Sequence, residues 1–211
     1  MDYEYYIEQL KRWPANGQHI LANYDHDSIV VYQAYRDEIA DYALSHQCFG
    51  GAFSYSRMSW IKPNFLWMMF RSGWATKPGQ ERILAVRLRR TFFDALLEQA
   101  VSSSLPAGSG QSREDWQAAV KASDVRLQWD PDHDPSGGPI DRRAVQLGLR
   151  GRALETYGKS AIVSIADMTE FVSTQRRHVT EQCEALLMPV EHIYVPRQKT
   201  GCAQPGGGCI E

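Results

Sequence analysis

Between Arg57 and Arg90 the chain carries eight Lys or Arg residues (Arg57, Lys62, Arg71, Lys77, Arg82, Arg87, Arg89, Arg90) and one acid, Glu81. Nothing else in the sequence restricts the fold as strongly. Like charges at this density repel one another unless acids from elsewhere in the chain, or an anionic ligand, compensate them. The segment sums to +7 while the whole chain sums to −2, so the remainder is acidic. Asp25, Asp27, Asp37, Glu38 and Asp130 are candidate partners. Trp60, Trp67 and Trp74, half of the six tryptophans, share the window. A basic, aromatic island in an acidic chain points to a concave site for something anionic and planar, such as a nucleotide or a nucleic acid.

Punctuation and periodicity predict the elements around this island. Residues 3–13 have the spacing of a short amphipathic helix that stops at Pro14. The run SIVVYQAY at 28–35 reads as a strand, and 37–46 as a helix with acids in its first turn. Pro63 suits a first helical position, and Gly73 a C-terminal stop, for a helix placing Trp67, Arg71 and Trp74 along one side. Residues 83–88 form a strand, and 92–101 a helix burying Phe92, Ala95, Leu96 and Ala100. A mobile loop at 102–112 and a short helix at 116–122 follow. Strands at 125–129, 144–149 and 161–165 come next, then a last helix through Leu187 with Asp167 as N-cap. Helices and strands mix without strict alternation, which predicts an α+β domain with a mixed or antiparallel sheet flanked by helices. The expected organisation is one domain over 1–196, its core at about 17–190, and a flexible Gly/Cys-rich tail over 197–211.

Composition excludes several classes. Hydrophobic residues at 43% and charged residues at 23% are globular values. No apolar run is long enough to span a bilayer, and the N-terminus lacks the pattern of a signal peptide, so no membrane partner and a cytoplasmic location are expected. The four cysteines form no CxxC, and a Cys202–Cys209 disulfide is disfavoured by a reducing compartment. Asp130, Asp132 and Asp134 alternate as in a calcium loop, but Pro131 and Pro135 intrude and the closing glutamate is missing, so no metal is expected. His133, between two aspartates in a turn, reads as an exposed loop residue. No Walker motif, dinucleotide-binding glycine fingerprint, GxSxG or HExxH is present.

Within the island, Lys62 precedes proline and is therefore held extended. In an extended backbone Trp60 and Lys62 project to the same side, a stacking plane beside a cation. Lys77 and Gln80 lie on a glycine-bearing turn able to approach an anion. The expected ligand site comprises Gln33, Gln128 and Gln146 reading polar edges, with Gln80 beside them. Arg57, Lys62, Lys77 and Arg143 take the phosphate, and Trp60 or Tyr35 the ring. Trp67, among Phe, Leu and Met, is expected in the core.

The blocks VYQAY (31–35), RMSWIKPNFLWMMFRSGW (57–74), KPGQERILAVRL (77–88), QWDP (128–131) and RAVQLGL (143–149) resemble the signature of the DUF4291 family over roughly residues 17–190. That resemblance implies a shared fold but assigns no chemistry. The element order is also similar to that of ADP-ribosyltransferase folds. This similarity implies NAD as a possible substrate and a carboxylate, Glu81 or Asp130, in a catalytic role on ribose hydroxyls. The leading expectation is an intracellular domain binding a phosphorylated, base-containing ligand: a nucleotide, NAD or a nucleic-acid end. A non-catalytic RNA- or DNA-binding module and a protein-interaction domain are the alternatives.

Overall fold

The computed structural model describes residues 1–105, 108–181 and 183–197. In chain order its elements are β1 (Tyr3–Tyr5), α1 (Tyr6–Leu10), β2 (Gly17–Gln18), β3 (Leu21–Ala22), β4 (Ser28–Tyr35), α2 (Asp37–His46), β5 (Ser59–Ile61) and α3 (Phe65–Ser72). Then come β6 (Arg82–Arg89), α4 (Arg90–Gln99), β7 (Val101–Ser102), α5 (Arg113–Ala122), β8 (Val125–His133) and β9 (Pro139–Leu149). The chain finishes with α6 (Gly151–Thr156), a π-helical turn at Tyr157–Ala161, β10 (Ile162–Asp167), α7 (Thr169–Glu181), β11 (Leu187–Pro189) and β12 (His192–Ile193). This is the expected α+β class.

A three-stranded antiparallel sheet, ordered β10-β6-β4, divides the interior in two. Ile29 and Val31 of β4, with Leu84, Val86 and Leu88 of β6, face one core. Val30 and Tyr32, with Ile83 and Ala85, face the other. Both faces are covered, so these strands read as unbroken apolar runs instead of alternating ones. The first core is shared with a second sheet in which β8 and β9 form a long antiparallel hairpin, contributing Val125, Val145, Leu147 and Leu149. The second core holds the apolar face of α3, Phe65, Leu66, Met68 and Met69.

Helix α3 begins two residues later than its proline suggests: Phe65, not Pro63, is the first helical residue. Asn64 is the N-cap, its Oδ1 accepting from the Trp67 N–H at 2.6 Å, and Gly73 closes the helix in the left-handed region at φ 60°. The Phe65 N–H is satisfied from far away, donating to Glu191 Oε1 at 2.7 Å. Burial holds that carboxyl well above the usual carboxylate range.

Five further expectations are corrected. Residues 3–5 are a strand, and Leu187 lies in a strand, not in α7, because β1 and β11 pair with each other across almost the whole chain. Helix α4 buries Phe93, Asp94 and Leu96, while Ala95 is exposed; the Asp94 carboxylate accepts from the distant Tyr194 hydroxyl, which sets the rotation of the helix. Strands β8 and β9 run on to His133 and Pro139, with a register shift at Pro131 that accommodates the missing N–H. Asp134 closes the turn, its Oδ1 accepting from the Gly138 N–H at 2.9 Å. His133 is accordingly not a loop residue. It is buried, stacked on Phe70 and Trp67 with ring centroids 3.5 and 5.1 Å away, and desolvation lowers its pKa. The expected loop at 102–112 includes two residues outside the described set, and the expected tail, with its two cysteines, lies outside it from residue 198 onward.

Candidate functional site

Strand β5 joins the two sheets. It pairs with β9, placing Trp60 opposite Gly148, and the next residue but one bridges to β4 through the Tyr32 N–H, which donates to the Lys62 carbonyl at 2.7 Å. The junction is pinned by Gln33. Its Nε2 donates to Ser59 Oγ at 2.8 Å and to the Trp60 carbonyl at 3.3 Å, and its Oε1 accepts from the Tyr157 hydroxyl. Gln33 is buried with both ends of its amide engaged, so it aligns the segment and has no edge left to read a ligand.

Over this junction opens a cleft of about 460 Å³, lined by Tyr35, Arg57, Met58, Ser59, Trp60, Lys62, Met68, Arg71, Gln80, Gln128 and Gln146, with Gln33 and Ala34 at its base. A second lobe of about 430 Å³ adjoins it, sharing Tyr35, Arg57, Met58, Ser59 and Gln80 and adding Phe53 and Ile39. Trp60 lies against the backbone of β9 because Gly148 has no side chain. A Cβ there would stand 3.0 Å from the indole and 2.8 Å from Met58 Sδ. Gly148→Ala should therefore unseat the indole and destabilise the protein by about 1–3 kcal/mol as an overpacked contact. The shift in denaturant midpoint, followed by tryptophan fluorescence, measures it.

Three cations meet at the cleft: Arg57, Lys62 and Arg71. Among the described residues none has a carboxylate within ion-pair distance. Lys62 is the unusual one. Its side chain is 4% exposed, and the partner of its ammonium is the Trp60 carbonyl at 3.5 Å. Burial, then the proximity of Arg71, lowers its pKa to about 8, against the opposing pull of Asp130. Arg71 was legible in the sequence as part of the island, but helical spacing grouped it with Trp67. In the structure it shares the cleft with Met68, one turn earlier, while Trp67 is buried beside His133.

The other five cations of the island are occupied elsewhere. Arg82 pairs with Asp37, Asp41 and Asp167, and Arg87 with Asp25. Arg89 donates to the Ser160 carbonyl. Arg90 lies over the Tyr24 and Tyr194 rings, 5.0 Å from each centroid. Lys77 does not reach the cleft: its Nζ donates to the Phe70 and Arg71 carbonyls at 3.3 and 2.9 Å, completing the C-terminal end of α3. Arg143 also points away. It is odd-numbered on β9 where Gln146 is even, so pleating puts the two on opposite faces, and Arg143 lines a separate depression with Trp129 and Gln18.

Neither carboxylate expected to act on a substrate lines the cleft. Glu81 is exposed and accepts from the Gly79 N–H at 2.9 Å. Asp130 stands behind the two glutamines, accepting from Gln128 Nε2 at 2.7 Å and Gln146 Nε2 at 2.6 Å. The alternating aspartates have separate partners: Asp132 is in a buried pair with Arg142 at 2.6 Å, and Asp134 is in the hairpin turn. Tyr35 lines both lobes, its hydroxyl 3.4 Å from Ser59 Oγ, and burial raises its pKa, keeping the phenol neutral. No helix among the described residues is long and apolar enough to cross a membrane.

The family model of DUF4291, a domain of unknown function, matches residues 19–194. The chain belongs to that family. No curated protein matches it.

Proposed function

For this member of the DUF4291 family, we propose that the cleft binds a phosphorylated, base-containing ligand, with Trp60 under the base and Arg57, Lys62 and Arg71 around the phosphate. One observation carries the reading. Of eight cations in the island, two are paired with carboxylates and three are held by carbonyls or rings elsewhere, and the remaining three converge on one cleft beside an indole. A buried ammonium facing no carboxylate is unfavourable unless something negative joins it. A carboxylate-dependent, ADP-ribosyltransferase-like version has less support, since no acid lines either lobe. Labelled NAD incubated with cell extract tests that version; no labelled product removes it.

Binding along a nucleic-acid strand is the second reading, and the dispersal of the other five cations argues against it. A salt series separates the two. Three cations on a mononucleotide give a log–log slope no steeper than about −2, whereas a groove engaging many phosphates of an oligonucleotide gives a steeper one. If neither AMP nor CMP raises the melting temperature at millimolar concentration, the nucleotide reading fails.

A further inference from the structure

We infer that the cleft selects bases presenting an exocyclic amino group over bases presenting a carbonyl at that position, and that Asp130 sets this preference without touching the ligand. The inference rests on the nucleotide reading above. Gln128 and Gln146 face each other across the β8–β9 ladder, and both line the cleft. Between them Asp130 accepts from both amide nitrogens, one on each carboxylate oxygen. An ionised carboxylate only accepts hydrogen bonds, so each amide must turn its NH2 toward Asp130. The oxygen of each amide is then held on the side away from Asp130, beside the one N–H of the amide that the carboxylate does not use. Gln146 Oε1 has no protein partner among the described residues, and Gln128 Oε1 has a long contact, 3.4 Å, from Ser103 Oγ.

A glutamine amide free to rotate offers a donor or an acceptor with equal ease. Here the carboxylate blocks the flip of either amide, so the cleft wall that Gln128 and Gln146 share with Trp60 keeps both amide oxygens available as acceptors. An amino group on a base edge satisfies an acceptor, whereas a carbonyl set against it leaves two oxygens opposed and desolvated. The preference therefore falls on the edge chemistry of the base and is independent of the sugar and the phosphate.

CMP against UMP, and AMP against IMP, are the probes, because each pair differs at the amino or carbonyl position. Calorimetric titration of the full chain should show CMP binding about tenfold tighter than UMP, and AMP than IMP, the effect of one hydrogen bond made or opposed. Asp130→Asn lets one amide turn its NH2 to the cleft, and should flatten or invert both ratios; each ratio compares two nucleotides with the same phosphate, so the altered charge near Lys62 cancels within it. Equal affinity within each pair for the unmodified protein overturns the selection while leaving the nucleotide reading intact. A preference that survives Asp130→Asn unaltered overturns the role of Asp130. Absence of binding by all four nucleotides removes the inference and the nucleotide reading together.

Discussion

Replacing Lys62 with methionine is expected to make the protein harder to unfold and unable to hold its anion. The ammonium is buried, and its pKa falls from an ordinary 10.5 to about 8, a gap equivalent to about 3 kcal/mol of native-state destabilisation at neutral pH. Methionine keeps an unbranched side chain only one atom shorter and removes the charge, so most of that amount returns as stability. The pH dependence has a definite sign. The folded-state pKa is depressed, so below about 8 both states hold the proton and the penalty is complete. Between about 8 and 10.5 only the unfolded chain holds it, and stability rises with pH. Tyr32 and Tyr157, whose burial raises their pKa values, oppose this trend once unfolded tyrosines ionise near 10. Denaturation between pH 7 and 9.5 should therefore show stability rising for the native protein and flat for Lys62→Met. A variant less stable than the native protein, or one that still binds AMP and CMP as tightly, contradicts this account. Such an exchange of stability for binding is what a functional cation in a dry site would show.

The largest loss is expected from Asp132→Ala. Asp132 and Arg142 are 1% and 2% exposed and in contact through two bonds, from Nε at 2.7 Å and from Nη2 at 2.6 Å. Arg142 also donates to the Pro14 carbonyl at 2.8 Å and lies over the Trp13 ring at 5.2 Å. Removing the carboxylate strands a buried guanidinium, which costs about 3–5 kcal/mol, a large part of the stability of a domain this size. A urea midpoint unchanged within error would refute it. Replacing both partners together, Asp132→Leu with Arg142→Met, should recover most of the loss, since it is the unpaired charge that destabilises.

Local elements were legible because their signals are local. The β-branched run of β4, the Gly73 end of α3 and the Trp60–Lys62 alternation all depend on neighbours within a few residues. What escaped the sequence depends on partners far along the chain. Residues 3–5 have helical spacing but pair with residues 187–189. Phe93 is the fully buried ring and Phe92 packs at the edge of the core, a rotation fixed where Tyr194 reaches Asp94. The site divides in the same way. Arg57, Trp60 and Lys62 share one short segment, and Gln128 and Gln146 are paired across one hairpin. Arg143 falls outside the cleft because the pleat of β9 sets it on the face opposite Gln146. Lys77 stays out of the cleft because a helix C-terminus competes with any ligand for a nearby ammonium. Asp130 was expected to act on substrate, and its capture by two amides two and sixteen residues away depends on the hairpin register.

Glu191 receives the first free N–H of α3 and the Asn64 amide. The helix carrying Arg71 is thus seated by a residue translated more than a hundred positions later. A nascent chain emerging in order has the indole and the buried lysine in hand long before this anchor arrives. The cleft is therefore among the last parts of the molecule to be completed, and a ribosome stalled before residue 191 would display its basic lining without the support that shapes it.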